Sequence, residues 1–395
     1  MQDDTGHLVH EAVERYRGEA ENLSRYLHDN PEVSSQEFGS SARIVSMLEG
    51  WGFEVEYPFF GMDTAFRATF EDGPGPEIAI MVEYDALPDI GHGCGHNLHG
   101  SLALLAGAAL KDLKGLYAGK IRVIGTPAEE ADGAKVAMSE GGVFDGMALA
   151  IMMHSIGGAC QPNMDVLSLS VYTAEFTGQG AHAVAAPWHG RSALAAARKF
   201  IDLIDARREC FTPDIHVNSV FIDGGKAPNI IPEHASLFVE FRAGSEARLK
   251  DVADMITKCA QGAAIALDCE VKLEKHPCSF ADMVRIPELE EETAKILAGL
   301  GARVSPVSPP VGSSDVGNVS YRCPTLQPLI SITDEPLALH TREFADATLT
   351  PRAAEAMAIG AEAVALLVLK TMTDETFGNA VSDGFKRELA AKKGG

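Results

Sequence analysis

The chain of 395 residues carries 56 acidic against 33 basic side chains, a net charge of −23. That balance excludes nucleic acid or an anionic membrane surface as the main partner, because both require a basic face. Apolar residues at 46% and charged residues at 23% describe a large buried core under a solvated surface, and no run approaches the ~18 consecutive apolar residues of a membrane span.

The opening MQDDTGHLVHEAVERY lacks the basic and apolar blocks of a secretory signal. Seven cysteines, Cys94, Cys160, Cys210, Cys259, Cys269, Cys278 and Cys323, are odd in number and scattered. They do not form a disulfide framework, and a cytoplasmic location is expected. Residues 7–30 and 39–52 repeat Leu, Val and Tyr at three- and four-residue steps and are predicted to be helices. EIAIMVEYD (77–85) is a buried-strand run, SLALLAGAALKDL (101–113) a helix, IRVIGTPAEE (121–130) a second strand and MALAIMMHS (147–155) a third. This alternation predicts an α/β domain built on a mixed sheet.

The order then changes. LSLSVYTAEFTGQG (167–180) alternates as a half-exposed antiparallel strand does. A helix near 189–206, strands at 216–225 and 235–244, a helix near 245–262 and a strand at 269–277 follow. This βαββαβ order predicts an inserted α+β domain of split-βαβ, ferredoxin-like type. The predicted boundaries are 1–166 with 280–395 for the α/β domain and 167–279 for the insertion. From about 280 a helix, the loop SPPVGSSDVGNVS, a strand near 325–332 and one final long helix complete the first domain, and the tail AAKKGG is expected to fray. AMAIGAEAVALLVLK (356–370), interrupted by Gly360 and Glu362, reads as a packed helix.

Ligands of open α/β sheets bind outside the carboxyl ends of the strands. Just past the predicted strand ends stand Glu83 and Asp85, then Cys94 and His96, then Glu129 and Glu130, then His154, and finally His340. A co-catalytic pair of metals with a general base needs such an inventory of carboxylates, imidazoles and a thiolate. In GHGCGHNLHG (91–100) the glycines let Cys94 and His96 turn inward as ligands, with His92 and His99 as supporting or surface residues. Adjacent glutamates near a turn diverge, so Glu130 is assigned as a ligand and Glu129 as the base that takes a proton from water.

EYDALP, GHGCGHN, TPAEE, MMHS, GQGAHA, APNIIPE, GSSDVGNVS and LALHT, in that order over nearly the whole chain, resemble the M20 metallopeptidases. The resemblance is to their amidohydrolase branch, with its aminoacylase-like, aminobenzoyl-glutamate hydrolase-like and Xaa-dipeptidase-like proteins. It implies a catalytic domain split by a lid and dimerisation domain, and hydrolysis of an amide bond beside a carboxylate. It places Cys94 where the peptidase branches have a bridging carboxylate. His96, Glu130, His154 and His340 match ligands, and Glu129 matches the base. His182 matches the histidine that polarises the scissile carbonyl in the partner's active site of a dimer, and Asn229 and Arg242 match substrate-binding positions.

The chain departs from the pattern at Glu83, where the peptidase branches carry a histidine ligand, and at Asn97, where many relatives have aspartate. The expected cofactor is one or two divalent ions of zinc, manganese, cobalt or nickel per subunit, and the expected partner a second copy of the chain. The expected substrate is an N-acyl or N-aroyl amino acid or an unusual dipeptide. Hydrolytic deamination of an aromatic amine on the same metal site, and metal or metabolite binding without turnover, are the alternatives.

Overall fold

The computed structural model describes residues 2–394. The chain divides into two compact units, one running to Asp165 and resuming at Met283, the other being Val166–Asp282. Each has its own apolar core.

The first unit begins with helices α1 (Gln2–Asp29) and α2 (Phe38–Gly50). Strands β1 (Glu54–Glu56), β2 (Phe66–Asp72) and β3 (Glu77–Val82) follow, then α3 (His96–Asp112), β4 (Gly119–Gly125), α4 (Ala134–Glu140), β5 (Leu149–Ile151) and β6 (His154–Gly157). The second unit holds β7 (Ser168–Thr177), β8 (Ala181–His182), α5 (Ala193–Arg207), β9 (His216–Asp223), β10 (Ile230–Ile231), β11 (His234–Ala243), α6 (Glu246–Ala266) and β12 (Glu270–Phe280). The first unit then resumes with α7 (Pro287–Gly299), α8 (Val316–Ser320), β13 (Thr325–Leu326), β14 (Leu329–Thr333), α9 (Arg342–Ala347), α10 (Pro351–Thr373) and α11 (Glu375–Gly394).

The main sheet of the first unit runs β1-β2-β4-β3-β5-β13. β4, β3, β5 and β13 are parallel neighbours, while β1 and β2 join antiparallel. Ile78–Val82 is buried on both faces because β3 lies between β4 and β5 and under α3, which explains its unbroken apolar sequence. α3 lies so close to the sheet that a Cβ on Gly100 would come within 2.2 Å of the Glu83 carbonyl oxygen. α10 is long and apolar enough to cross a bilayer, yet most of it is buried in this unit, packed on α3 and β14.

In the second unit, β12-β7-β11-β9 form one antiparallel sheet with α5 and α6 packed on it. The order and the βαββαβ succession are those of the split-βαβ fold. Ser192 and Ser245 cap α5 and α6 by accepting from Ala195 and Arg248 N–H.

Several local expectations are corrected. MALAIMMHS is two strands: β5 stays in the main sheet, whereas β6 leaves it to pair with β14. The run near 325–332 is likewise split into β13 and β14 around Gln327 and Pro328. The final helix is two helices that part at Asp374, and AAKKGG is helical as far as Gly394. The helix expected from Ser101 starts at His96, so His96 and His99 stand on its first turn while His92 precedes it.

Candidate metal centre

Three strand ends and one distant loop build the site. β3 delivers Glu83 and Asp85. The glycine loop after β3 delivers Cys94, and the first residue of α3 is His96. The turn after β4 delivers Glu129 and Glu130, and the start of β6 delivers His154. His340 arrives from the loop after β14, where its own N–H donates to the Gly93 carbonyl at 2.8 Å.

Two turns aim these side chains. Gly95 caps α3 in the left-handed region at φ +86°, and a Cβ there would stand 2.2 Å from Ser155 Oγ. Ala128, at φ +59°, donates its N–H to the buried Glu37 carboxylate at 2.9 Å and so pins the turn that presents Glu129 and Glu130.

Asp85 is the organiser. Its Oδ1 and its carbonyl both lie 2.9 Å from His96 Nδ1, while Oδ2 accepts from Ser34 Oγ at 2.7 Å and from Glu130 N–H at 3.1 Å. His96 Nδ1–H thus donates to Asp85, and Nε2 turns into the site with no hydrogen-bond partner among the described residues. Glu130 Oε1 is likewise buried and unpartnered. It lies 3.9 Å from His96 Nε2 and 3.5 Å from His340 Nε2. His154 Nδ1 sits 2.7 Å from the Ser155 carbonyl, which points its Nε2 at Cys94 Sγ, 3.4 Å away.

Two nitrogen or oxygen ligands on one tetrahedral zinc stand about 3.3–3.6 Å apart, given metal–ligand bonds of about 2.0–2.2 Å. Cys94, Glu130 and His340 offer donor atoms within 4.8 Å of one another, as do His96, Glu129 and Glu130. Buried acceptors left unpaired are costly, and a divalent cation satisfies His96 Nε2 and Glu130 Oε1 together. The donor set fits a metal centre.

The electrostatics agree with that chemistry. Burial pushes the Cys94 thiol up and takes the His154 imidazole down to about 4. Burial also opposes a charged His96, but the Asp85 carboxylate and Cys94 outweigh it and raise its pKa well above the usual value. Glu129 is raised well above a normal carboxylate by burial, and then by the nearby Glu83 and Asp315 carboxylates. Burial thus governs Cys94 and His154, while neighbouring carboxylates add to the shifts of His96 and Glu129.

The structure thus brings Cys94, His96, Glu129, Glu130, His154 and His340 together. His182, Asn229 and Arg242 belong to the second unit and lie outside this cluster. His182 is exposed in the β8–β10 ribbon, and Val184 and Ala185 N–H donate to its Nδ1 at 3.2 and 3.1 Å. Asn229 is exposed, its carbonyl accepting from Ala183 N–H at 2.9 Å. Arg242 Nε donates to Glu240 Oε1 at 3.0 Å.

The reading of His92 and His99 as possible surface residues is corrected: both are buried. Asn97 also finds its explanation. Its Nδ2 donates to Ser24 O, Ser24 Oγ and Thr348 Oγ1 at 3.0–3.3 Å, outside the metal cluster, a role that an aspartate could not fill. Lys135 and Asp315 were missed. The signal was present, in a lone lysine within the otherwise apolar GAKVAM and an aspartate within GSSDVGNVS.

Residues 168–266 match the peptidase dimerisation domain of the M20 family. Across 408 aligned residues the chain is 31% identical to Xaa-Arg dipeptidase of Mus musculus, covering 98% of this chain and 93% of that protein. The chain belongs to the M20 family. This M20 chain is also 31% identical over 285 residues to a polypeptide of the p-aminobenzoyl-glutamate hydrolase of Escherichia coli K12, covering 67% of the chain and 59% of that polypeptide. A dinuclear metal-binding M20 peptidase from Bacillus subtilis shares its fold at a TM-score of 0.66 and 21% identity, over 90% of this chain and 99% of that one. As an M20 protein the chain is a metal-dependent hydrolase of amide bonds.

Proposed function

We propose that the chain cleaves the amide bond of a dipeptide or of an N-acyl or N-aroyl amino acid that carries a free carboxylate. The observation that carries this reading is that Cys94, Glu130 and His340, and likewise His96, Glu129 and Glu130, offer donor atoms within 4.8 Å of one another, with His154 Nε2 3.4 Å from Cys94 Sγ. The names of the mouse and Escherichia coli relatives support the substrate class.

Cys94, His96, Glu130, His154 and His340 would hold one or two ions of zinc, manganese, cobalt or nickel. When bound, such an ion polarises the substrate carbonyl and makes water acidic enough to attack near neutral pH. Glu129 takes the proton of the attacking water and returns it to the leaving amine. His182 supplies a hydrogen-bond donor for the developing oxyanion. Backbone N–H groups can only donate, so the His182 Nδ1 that they meet is an acceptor and the neutral ring carries its proton on Nε2. Arg242, helped by Asn229, reads the substrate carboxylate through its forked guanidinium. The dimerisation domain supports a homodimer in which each His182 serves the partner's site. The charge and the scattered cysteines support a cytoplasmic setting.

The test is a panel of dipeptides, N-acyl amino acids and aromatic amines offered to chelator-stripped protein with each divalent metal added back, products being read by mass. Release of an amino acid and an acid fragment is expected. Ammonia without an acid fragment would replace hydrolysis by deamination, and no turnover with any metal would reduce the protein to a binder.

A further inference from the structure

Glu83 occupies a position where the sequence pattern expects a ligand, yet it is engaged elsewhere. Its Oε1 lies 2.7 Å from Lys135 Nζ, and the same ammonium lies 2.7 Å from Asp315 Oδ1. All three side chains are fully buried. The other oxygen, Oε2, lies 3.1 Å from His99 Nε2.

The tautomer of His99 follows from the backbone. Ser155 N–H, which can only donate, points at His99 Nδ1 from 3.3 Å. Nδ1 is therefore an acceptor, and the neutral ring carries its proton on Nε2, facing Glu83. Both ring nitrogens of His99 are used and neither is left for a metal. Ser155 Oγ lies 3.1 Å from the same Nδ1 and 3.4 Å from the Cys94 carbonyl. The His99 ring rests on that of His154, with centroids 4.4 Å apart and planes at 34°.

We infer that Asp315, Lys135, Glu83, His99 and Ser155 form a buried positioning chain that fixes His154 and the Cys94 loop, and that neither Glu83 nor His99 is a metal ligand. The inference rests on the reading that Cys94, His96, Glu130, His154 and His340 hold metal. The Lys135 ammonium takes the cation's place at Glu83. The unpartnered acceptors, His96 Nε2 and Glu130 Oε1, lie outside this chain of contacts. The opposite assignment is testable because Glu83, His96, His99 and His154 also offer donor atoms within 4.8 Å of one another, with Glu83 Oε2 3.5 Å from His96 Nε2.

Two measurements decide. In the first, wild-type protein labelled with 15N-histidine and stripped of metal is titrated with zinc, and His99 is identified by the signal missing from His99→Gln. The His99 signals should keep the pattern of a protonated Nε2 and a bare Nδ1 while those of His96, His154 and His340 move. A metal-bound shift at His99 overturns the inference. In the second, Glu83→Gln, checked for fold by circular dichroism, should bind as many zinc equivalents as wild type, about 10- to 100-fold more weakly, as when the outer partner of a ligand is lost. Loss of a whole equivalent makes Glu83 a ligand and overturns the inference. If Glu83→Gln does not fold, the labelled wild type still decides. Wild type that takes up no divalent metal overturns the metal reading itself, a result distinct from either of these.

Discussion

At the scale of single residues, the proposed roles separate groups that would hold a cation from the group that would move a proton. Glu129→Gln keeps the side chain's shape and removes its basicity. Turnover should fall at least ~100-fold, with metal content by elemental analysis unchanged; a fall explained by lost metal would reverse the roles of Glu129 and Glu130. Cys94→Ala should lower the metal content directly. Arg242→Ala should weaken substrates bearing a free carboxylate more than their carboxamide counterparts, and equal weakening would make Arg242 a support of the lid alone. A pH effect belongs to His92. Burial and then the neighbouring His96 lower its pKa to about 3, below the 6.5 of the unfolded chain. Between those values the unfolded chain takes up the proton and the folded one does not, so this group's contribution falls as pH drops from about 6.5 towards 3. The stability of metal-free wild type relative to His92→Leu should therefore decline over that window in denaturant titrations.

At the scale of elements, the helices and the longer strands could be read in the sequence because their apolar spacing is set by one packing face. β5, β6, β13 and β14 could not be separated, because each is too short to show a period and a buried strand that changes sheet keeps its apolar character. β1 and β2 also escaped, β1 because three residues show no period and β2 because half-buried Arg67 and Asp72 blur its alternation. The clustering of Cys94, His96, Glu129, Glu130, His154 and His340 was legible because chemistry-bearing residues gather at strand ends. The Lys135–Asp315 pair showed only as a lone lysine in an apolar stretch and an aspartate in a loop, with nothing to join them, because a buried ion pair leaves no periodic trace in sequence. The loop between β3 and α3 makes the local prediction. Gly95→Ala places a Cβ at φ +86° against Ser155 Oγ. A left-handed non-glycine residue costs about 1–2 kcal/mol before the clash is counted, so a lower Tm and a weaker metal affinity are expected together. An unchanged Tm would show that the loop re-forms at no cost. Asn97→Asp should lose hydrogen bonds to Ser24 and Thr348 and destabilise the protein by about 1–3 kcal/mol, measured by denaturant unfolding.

At the scale of the whole molecule, the residues given roles in the proposed reaction are divided between two units. The metal cluster lies in one, while His182, Asn229 and Arg242 lie in the other. In a two-fold dimer the exchange of His182 would be reciprocal. Glu129→Gln and His182→Ala subunits, each inactive alone, should therefore complement when mixed. Random exchange makes about half the dimers mixed, with one working site of two, so activity should return to roughly a quarter of wild type. If verified exchange restores nothing, His182 acts within its own chain or takes no part.

The ion pair between Asp165 and Arg285, 3.4 Å from carboxylate to guanidinium, draws together the two places where the first unit is interrupted. A segment inserted at such a closed neck is a cassette. Its loss leaves the surrounding chain only a short gap to bridge, and the entropy of closing that gap grows slowly with linker length. On the proposed roles, this chain has a topological route to change Asn229 and Arg242 without rebuilding the residues of the metal cluster. Replacing residues 166–282 by a brief Gly-Ser linker should yield a folded protein that still takes up divalent metal but has lost the substrate-reading side chains, and with them its turnover. A shortened chain that neither folds nor binds metal would show that the centre depends on the inserted unit for its assembly.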